Sequence, residues 1–377
     1  LIFGLLFAGE MAETAIWIMP RPRKSAKTPA LQNETPNKPI SLRTLGEYLD
    51  LSPATISLVL NNAPGVRSIP QETRDRVMAA AKKFDYRPSF YARSLRGQRS
   101  FLIGVLVPEL SDGYSVHILD GMEEILMEEG YFYLTASHRR KADLIEEYPR
   151  LLMDRSVEGF LVIDTALQHG LPLPAIAVPG HRNIPGVTNI VLDHRRAAEL
   201  SLRHLHQLGH RRIAFMRGRP SSSDAEDRWK SLMAVSRELG IEVSPELIMQ
   251  VENATSTPEL GYPITNELLQ RTRNFTAIVA FNDLAAVGAI RALRNHGLRV
   301  PEDVSVVGFD DFEAAAYYNP SLTTIRQPLR EMGYMAARLL LAKIRGEKEL
   351  PPEVPIVPEL IIRESTLPPP SASARKR

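Results

Sequence analysis

Beyond residue 100 the chain repeats one rhythm, and that rhythm limits its fold more than anything else in the sequence. Short apolar, β-rich runs fall at 102–107, 131–135, 160–163, 175–178, 190–192, 213–216, 277–281 and 304–307, and helical patterns at 121–129, 197–208, 228–239 and 284–296 separate most of them. Strands alternating with helices make βαβ units, whose parallel sheets are buried on both faces and so read as continuous apolar runs. Eight such runs are too many for one small sheet and predict two doubly wound lobes. A single core rarely grows past roughly 250–300 residues, so a chain of 377 residues has room for a further small module.

Ligands of open α/β sheets bind beyond the carboxyl ends of the strands, so polar residues just after apolar runs are the binding candidates. These are Glu109 to Asp112, Asp164, Asn282, Asp283, Asp310 and Asp311, with Arg228 opening a helix after the loop at 218–227. Carboxylates, an amide and a guanidinium suit bidentate hydrogen bonding to a hydroxyl-rich ligand, with Tyr114 or Trp229 to stack on its apolar face. The predicted effector set is Asp112, Tyr114, Asp164, Arg228, Asn282, Asp283 and Asp310.

Residues 40–86 follow a different period. Ser41 can cap a helix whose Leu42, Leu45 and Leu49 recur at spacings of three and four. After a break at Asp50-Leu51, Ser52-Pro53 supplies a capping hydroxyl and a first-turn proline for a second helix at 53–61. Its Ile56, Val59 and Leu60 should face inward, leaving Ala54, Thr55, Ser57 and Leu58 outside. Small and hydroxylated side chains there would let the helix approach phosphates and base edges in a major groove. A third helix at 70–84 should bury Val77, Met78, Ala81 and Phe84. Two short helices joined by a tight turn can equally be a plain helical hairpin, and the next segment weighs against that. Residues 89–97 could form two helical turns, too few to be stable alone. They combine Arg93 and Arg96, able to neutralise phosphates, with Leu95, the type of wedge that enters a minor groove.

Charge divides along the same line. Residues 1–100 hold 15 basic against 8 acidic side chains and residues 101–365 hold 28 against 36, so a polyanion should meet the head and not the body. The chain has no cysteine, which excludes disulfides, thiolate metal ligands and a thiol nucleophile.

Taken together, Thr55-Ile56-Ser57, Asn61-Asn62, the run from Glu72 to Val77, Tyr86-Arg87-Pro88 and Ala92-Arg93-Ser94-Leu95 resemble the DNA-binding head of the lactose-repressor/galactose-repressor family. In the body the run from Leu208 to Ala214, Phe281-Asn282-Asp283, the run from Val300 to Asp311 and that from Leu322 to Pro328 resemble the same family, so the likeness spans about residue 40 to Thr366. The resemblance implies that Pro53, Ala54, Ser57 and Leu58 read bases and that Leu42, Arg43, Asn61 and Thr73 lie near the DNA backbone. It places Leu95, flanked by Ala92 and Arg93, in the minor groove, and it assigns Arg228, Asn282 and Asp310 to effector. The chain departs from the family pattern at Asp50, where a turn glycine is usual, and at Pro179, where an acid is common.

The fold class expected is therefore an α-helical helix-turn-helix head and an α/β two-lobed body like that of periplasmic binding proteins. The expected boundaries are a disordered basic extension at 1–39, the head at 40–86, a hinge helix at 87–99, an effector and dimerisation domain at 100–366 and a disordered tail at 367–377. Within the body, one lobe should take 101–191 plus 320–346 and the other 192–319 plus 347–366. The expected partners are double-stranded operator DNA, a sugar-like effector and a second copy, as a homodimer or a tetramer, with no membrane and no cofactor. The apolar start at 1–8 lacks a basic region before it and is followed by Glu10 and Glu13, so it reads as upstream over-read sequence, with Met11 or Met19 as the start, and the setting as cytoplasmic, on the nucleoid.

Rival readings are weaker. A periplasmic sugar-binding protein would need an export signal and would not carry residues 40–100. An enzyme could be read from Asp310-Asp311 or from Ser221-Ser222-Ser223, but there is no Gly-x-Ser-x-Gly elbow or phosphate-binding glycine loop. His204, His206 and His210 could suggest a metal, yet helix residues two apart point to different sides.

Overall fold

Capping chemistry sets the head. Ser41 accepts the Thr44 N–H at 3.1 Å and starts α1 (Leu42–Leu49), which ends where Asp50 turns left-handed at φ 52°. Ser52 accepts the Thr55 N–H at 3.1 Å and starts α2 (Pro53–Leu60). Pro70 precedes α3 (Gln71–Lys83), with Glu72 in its first turn and Lys82 and Lys83 in its last, the charge order the helix dipole favours. Leu45, Leu49, Ile56, Val59, Val77, Ala80 and Ala81 bury together, and Arg76 ties α3 to α1 by donating to the Leu49 carbonyl at 3.1 Å.

These are features of a computed structural model, which describes residues 40–60, 63, 65–86, 99–111, 113–180, 183–252, 258–347 and 350–371. They fall into two units, one within Leu1–Ser89 and the other within Phe90–Arg377. Asn61, Ala92, Arg93, Leu95 and Asp112 lie outside the described residues, as do the extension at 1–39 and nearly all of the hinge segment.

Two head expectations are corrected. Met78 is 55% exposed and Ala80 takes its place in the core, since the inner stripe of α3 runs through 77, 80 and 81. Ser57 is buried at 6% exposure beside Ile56, because that arc of α2 turns toward the other helices.

The larger unit holds two six-stranded sheets. Its strands are β1 (Leu102–Val107), β2 (Phe132–Ser137), β3 (Gly159–Ile163), β4 (Ala175–Val178), β5 (Val187–Leu192), β6 (Ile213–Arg217), β7 (Ile248–Gln250), β8 (Ala277–Val279), β9 (Ser305–Asp310), β10 (Thr323–Arg326), β11 (Glu353–Ile356) and β12 (Glu359–Ile361). The first sheet runs β11-β5-β4-β3-β1-β2 and the second β12-β10-β9-β8-β6-β7. Every pairing is parallel except β10 with β12. The helices are α4 (Gly113–Glu128), α5 (Ala142–Met153), α6 (His194–Leu208), α7 (Ala225–Glu238), α8 (Gly261–Arg271), α9 (Asp283–Asn295) and α10 (Leu329–Ile344).

The lobe boundaries differ from the expected ones at both later crossings. β10 joins the second sheet, so the chain returns to the first lobe only after Arg326, and β11 joins the first sheet, so the last crossing falls after Ile356. The reason is edge pairing: β10 completes a ladder with β9, and β11 covers the open side of β5. Helix α10 packs on α4 at a very short separation. A Cβ at Gly121 would overlap the Arg330 carbonyl oxygen, and one at Gly333 would overlap that of Ile118. The chain also stays ordered past the expected tail boundary, since Leu367 exchanges hydrogen bonds with Ser305 at 2.9 and 3.0 Å.

Candidate functional site

Strand ends build the cleft. At the carboxyl ends of β2, β3 and β9 the backbone takes positive φ at Arg139, Arg140, Asp164, Asp310 and Asp311, a conformation rare outside glycine that turns a side chain off the strand direction. After β8, Asn282 caps α9 by accepting the Ala285 N–H at 2.9 Å. The loop after β6 leads into α7 and brings Arg219, Ser222, Asp224 and Arg228. These residues, with Tyr114, Arg140, Asp164, Pro179, Phe281, Asn282 and Asp310, line one cavity between the lobes.

Five of the seven expected effector residues thus meet: Tyr114, Asp164, Arg228, Asn282 and Asp310. Asp283 does not. It is fully buried, accepting the Thr324 hydroxyl at 2.6 Å and the Phe312 N–H at 2.9 Å, so it ties the ends of β8, β9 and β10 together. Asn282 is still in extended backbone as the cap while Asp283 is the first helical residue, so the two side chains leave the chain in different directions. Trp229 packs edge-on against Phe215 with centroids 6.3 Å apart and lies, partly buried, against the second lobe's core. Among the residues the expectation missed, Arg140 lies three residues beyond the end of β2, and Arg219 and Asp224 lie in the loop after β6. The same strand-end rule reaches all three once the strand ends are known.

Paired charges hold the cleft. Arg140 Nη2 lies 2.6 Å from Asp164 Oδ2, Arg228 Nη2 lies 2.6 Å from Asp224 Oδ2, and Arg219 Nη1 lies 3.8 Å from Glu109 Oε1. Arg228 also donates to the Phe281 carbonyl at 2.8 Å and lies flat over the Phe309 ring at 3.7 Å. Burial pushes the Asp310 carboxyl well above the usual range, with Asp283 adding to it, while Gln327 donates to Asp310 Oδ1 at 2.6 Å. Burial, followed by the carboxylates of Asp224, Asp164 and Asp310, pushes the Tyr114 hydroxyl up as well. That hydroxyl has no hydrogen-bond partner among the described residues, although it is buried. An orphan buried donor is costly unless another group meets it. The arrangement offers acceptors, donors and flat apolar rings, the set that binds a hydroxyl-rich ring.

On the head, Pro53, Ala54 and Arg43 are exposed, and Leu42, Thr55, Leu58 and Thr73 are partly so. Thr55 Oγ1 lies 2.8 Å from Ser52 Oγ, and Arg43 pairs with Glu47 at 3.3 Å. Two of the three candidate histidines serve the fold: His204 Nε2 is 3.0 Å from the Thr366 hydroxyl, and His210 bridges Thr276 and the Leu367 carbonyl at 2.8 and 2.9 Å. Among the described residues no cluster could hold a metal ion, and no helix is long and apolar enough to cross a membrane.

Comparison with known proteins joins the two units. Residues 50–89 match the family model of bacterial regulatory proteins of the lacI family, and residues 202–366 match that of the periplasmic binding protein-like domain. The HTH-type transcriptional repressor PurR of Haemophilus influenzae is 30% identical over 86% of this chain and 98% of its own length. Among solved structures, the lac repressor dimer bound to operator and the anti-inducer ONPF superposes with a TM-score of 0.79 at 27% identity, covering 88% of this chain and all of that one. A complex of the transcriptional regulator CelR with cellobiose superposes at 0.64 and 26% identity, covering 86% and 99%.

Proposed function

Because this chain belongs to the lacI family of bacterial regulatory proteins, we propose that it represses transcription by binding an operator through residues 40–99 and releases or tightens that grip when a sugar-like effector enters the interlobe cleft. The observation that carries the effector assignment is the convergence of Tyr114, Asp164, Arg228, Asn282 and Asp310 on one cavity from the strand ends of both lobes. The named ligand of CelR, cellobiose, is a carbohydrate and supports a hydroxyl-rich effector.

In this reading Pro53, Ala54, Thr55 and Leu58 meet base edges, Leu42, Arg43, Asn61 and Thr73 meet the DNA backbone, and Ala92, Arg93 and Leu95 act in the minor groove. Two copies present two heads to a pseudo-palindromic site, as symmetric regulators do, and the protein works in the cytoplasm on the nucleoid. Its relatives are transcriptional regulators, and the cleft is read as a binding site, not a catalytic one. A ligand moves a two-state equilibrium only by its unequal affinity for the two states, so the direction of the response is set by which lobe arrangement the cleft residues favour.

The test is selection of an operator from random duplexes, followed by mobility shifts with and without sugars. Asp310→Ala should keep operator affinity and lose the sugar response. Failure of the purified protein to prefer any duplex over competitor DNA would remove the repressor reading.

A further inference from the structure

The cleft already holds a polar occupant supplied by the chain itself. Asp164 Oδ1, on the first lobe, accepts the Ser223 N–H at 3.1 Å and the Ser223 hydroxyl at 3.2 Å, both from the second lobe, and Ser222 Oγ, whose shorter bond at 2.7 Å goes to Asp224 Oδ1 of its own lobe, lies 3.2 Å from the same oxygen. Arg140 Nη1 donates across the cleft to the Ser221 carbonyl at 3.1 Å, and Ser223 Oγ reaches the Pro179 carbonyl at 3.3 Å. Three consecutive serines thus engage one carboxylate, one guanidinium and one carbonyl of the opposite lobe. The Ser223 hydroxyl on the Asp164 carboxylate and the Ser221 carbonyl on the Arg140 guanidinium occupy the donor and acceptor positions that two adjacent hydroxyls of a polyol would fill.

Charge narrows what could replace them. The three cleft guanidiniums each face a carboxylate, Asp164, Asp224 or Glu109, at 2.6, 2.6 and 3.8 Å, and Asp310 adds a further acid. A phosphate or carboxylate entering here would have to break an existing pair and would lie against acids, and an unpaired buried charge is costly. A neutral hydroxyl group can accept from Arg140 and donate to Asp164 without separating them.

Resting on the cleft reading above, we propose that the Ser221–Ser223 loop is a built-in competitor for the effector site and that the effector displacing it is a neutral polyol presenting two adjacent hydroxyls to the Arg140–Asp164 pair. The loop sets specificity by requiring a diol of matching geometry, and its release uncouples the lobes at this point.

Because the chain has no cysteine, Asp143→Cys on α5 and Glu226→Cys on α7 place one spin label on each lobe of the full-length protein. With no sugar added, pulsed EPR should give a narrow distance distribution that lengthens and broadens when Ser222→Ala and Ser223→Ala are introduced together; superimposable distributions would overturn the latch. Asp164→Ala, which removes the acceptor instead of the donors, should do the same, and an unchanged distribution there counts against the proposal equally. Calorimetry against glucose, galactose, ribose and arabinose, their phosphate monoesters and their aldonic acids tests the chemistry. A neutral sugar should bind, and about tenfold tighter to the double-alanine protein, because two competing hydrogen bonds are gone. Preference for a phosphate or an acid, binding by no neutral member, or weaker binding to the double-alanine protein would each overturn it. Arg228→Ala separates the two readings. Neutral-sugar binding that survives it removes the cleft as the effector site, whereas binding lost there with EPR distances unmoved by the serine changes removes only the loop's part.

Discussion

The head and the body reach order by opposite routes. In the head α1 and α2 are each started by a side chain within three residues, Ser41 for Thr44 and Ser52 for Thr55, and the core is a small group of residues drawn from positions 45–81. In the body the cleft is assembled from residues as far apart as Tyr114 and Asp310, and the chain crosses between lobes after Leu192, Arg326 and Ile356. Local structure in the head therefore tolerates changes in the body, and the reverse should hold.

Four changes would break or sharpen that contrast. The largest effect is expected from Arg228→Ala, which leaves Asp224 buried without its closest cation and should cost the body about 3–5 kcal/mol together with its effector response. Calorimetric unfolding should show the body's transition falling while any head transition stays in place. Leu45→Ala does the converse: it empties the centre of the small head core, where Leu45 is fully buried, at about 2–5 kcal/mol. Operator binding in mobility shifts should vanish while the body's melting temperature holds; retained operator binding would show that the head borrows stability from elsewhere.

The third change concerns pH. Burial raises the Asp283 carboxyl to about 7 from 3.8, so folding favours its protonated form. Its contribution to stability is full below pH 3.8 and is lost as pH rises toward 7, amounting to a few kcal/mol. Asp283→Asn removes that loss, so the difference between variant and parent melting temperatures should grow in the variant's favour from pH 4 to 7; a constant difference would mean that the carboxyl ionises freely. The smallest effect, about 1 kcal/mol, belongs to Ser52→Ala, which deletes the cap of α2 and should weaken operator binding slightly without moving the sugar response.

Legibility in the sequence follows the same division. The caps at Ser41 and Ser52, and the strands at 102–107 and 175–178, were readable because period and capping act over a few residues. The strands β7, β10, β11 and β12 were not read: they are three or four residues long, and they carry Gln250, Thr323 and Thr324, Pro355 or Glu359 in place of an apolar run. They exist because a neighbouring strand offers an open edge. Arg140 escaped because the apolar run at 131–135 stops two residues short of the end of β2 at Ser137, so the true strand end and the residues after it were not marked.

By itself the sequence determined eight of the strands, helices α1 to α4, α6, α7 and α9, the acidic body and basic head, and the placement of polar residues after apolar runs, since these depend on neighbours in the chain; it left α5, α8 and α10 unassigned. Which lobe owns β10 and β11, whether Asn282 or Asp283 faces the cleft, and which serines meet Asp164 were decided only by tertiary structure. Those outcomes depend on distances between residues far apart in sequence, 163 positions for Asn189 and Pro352, and no local pattern encodes such distances.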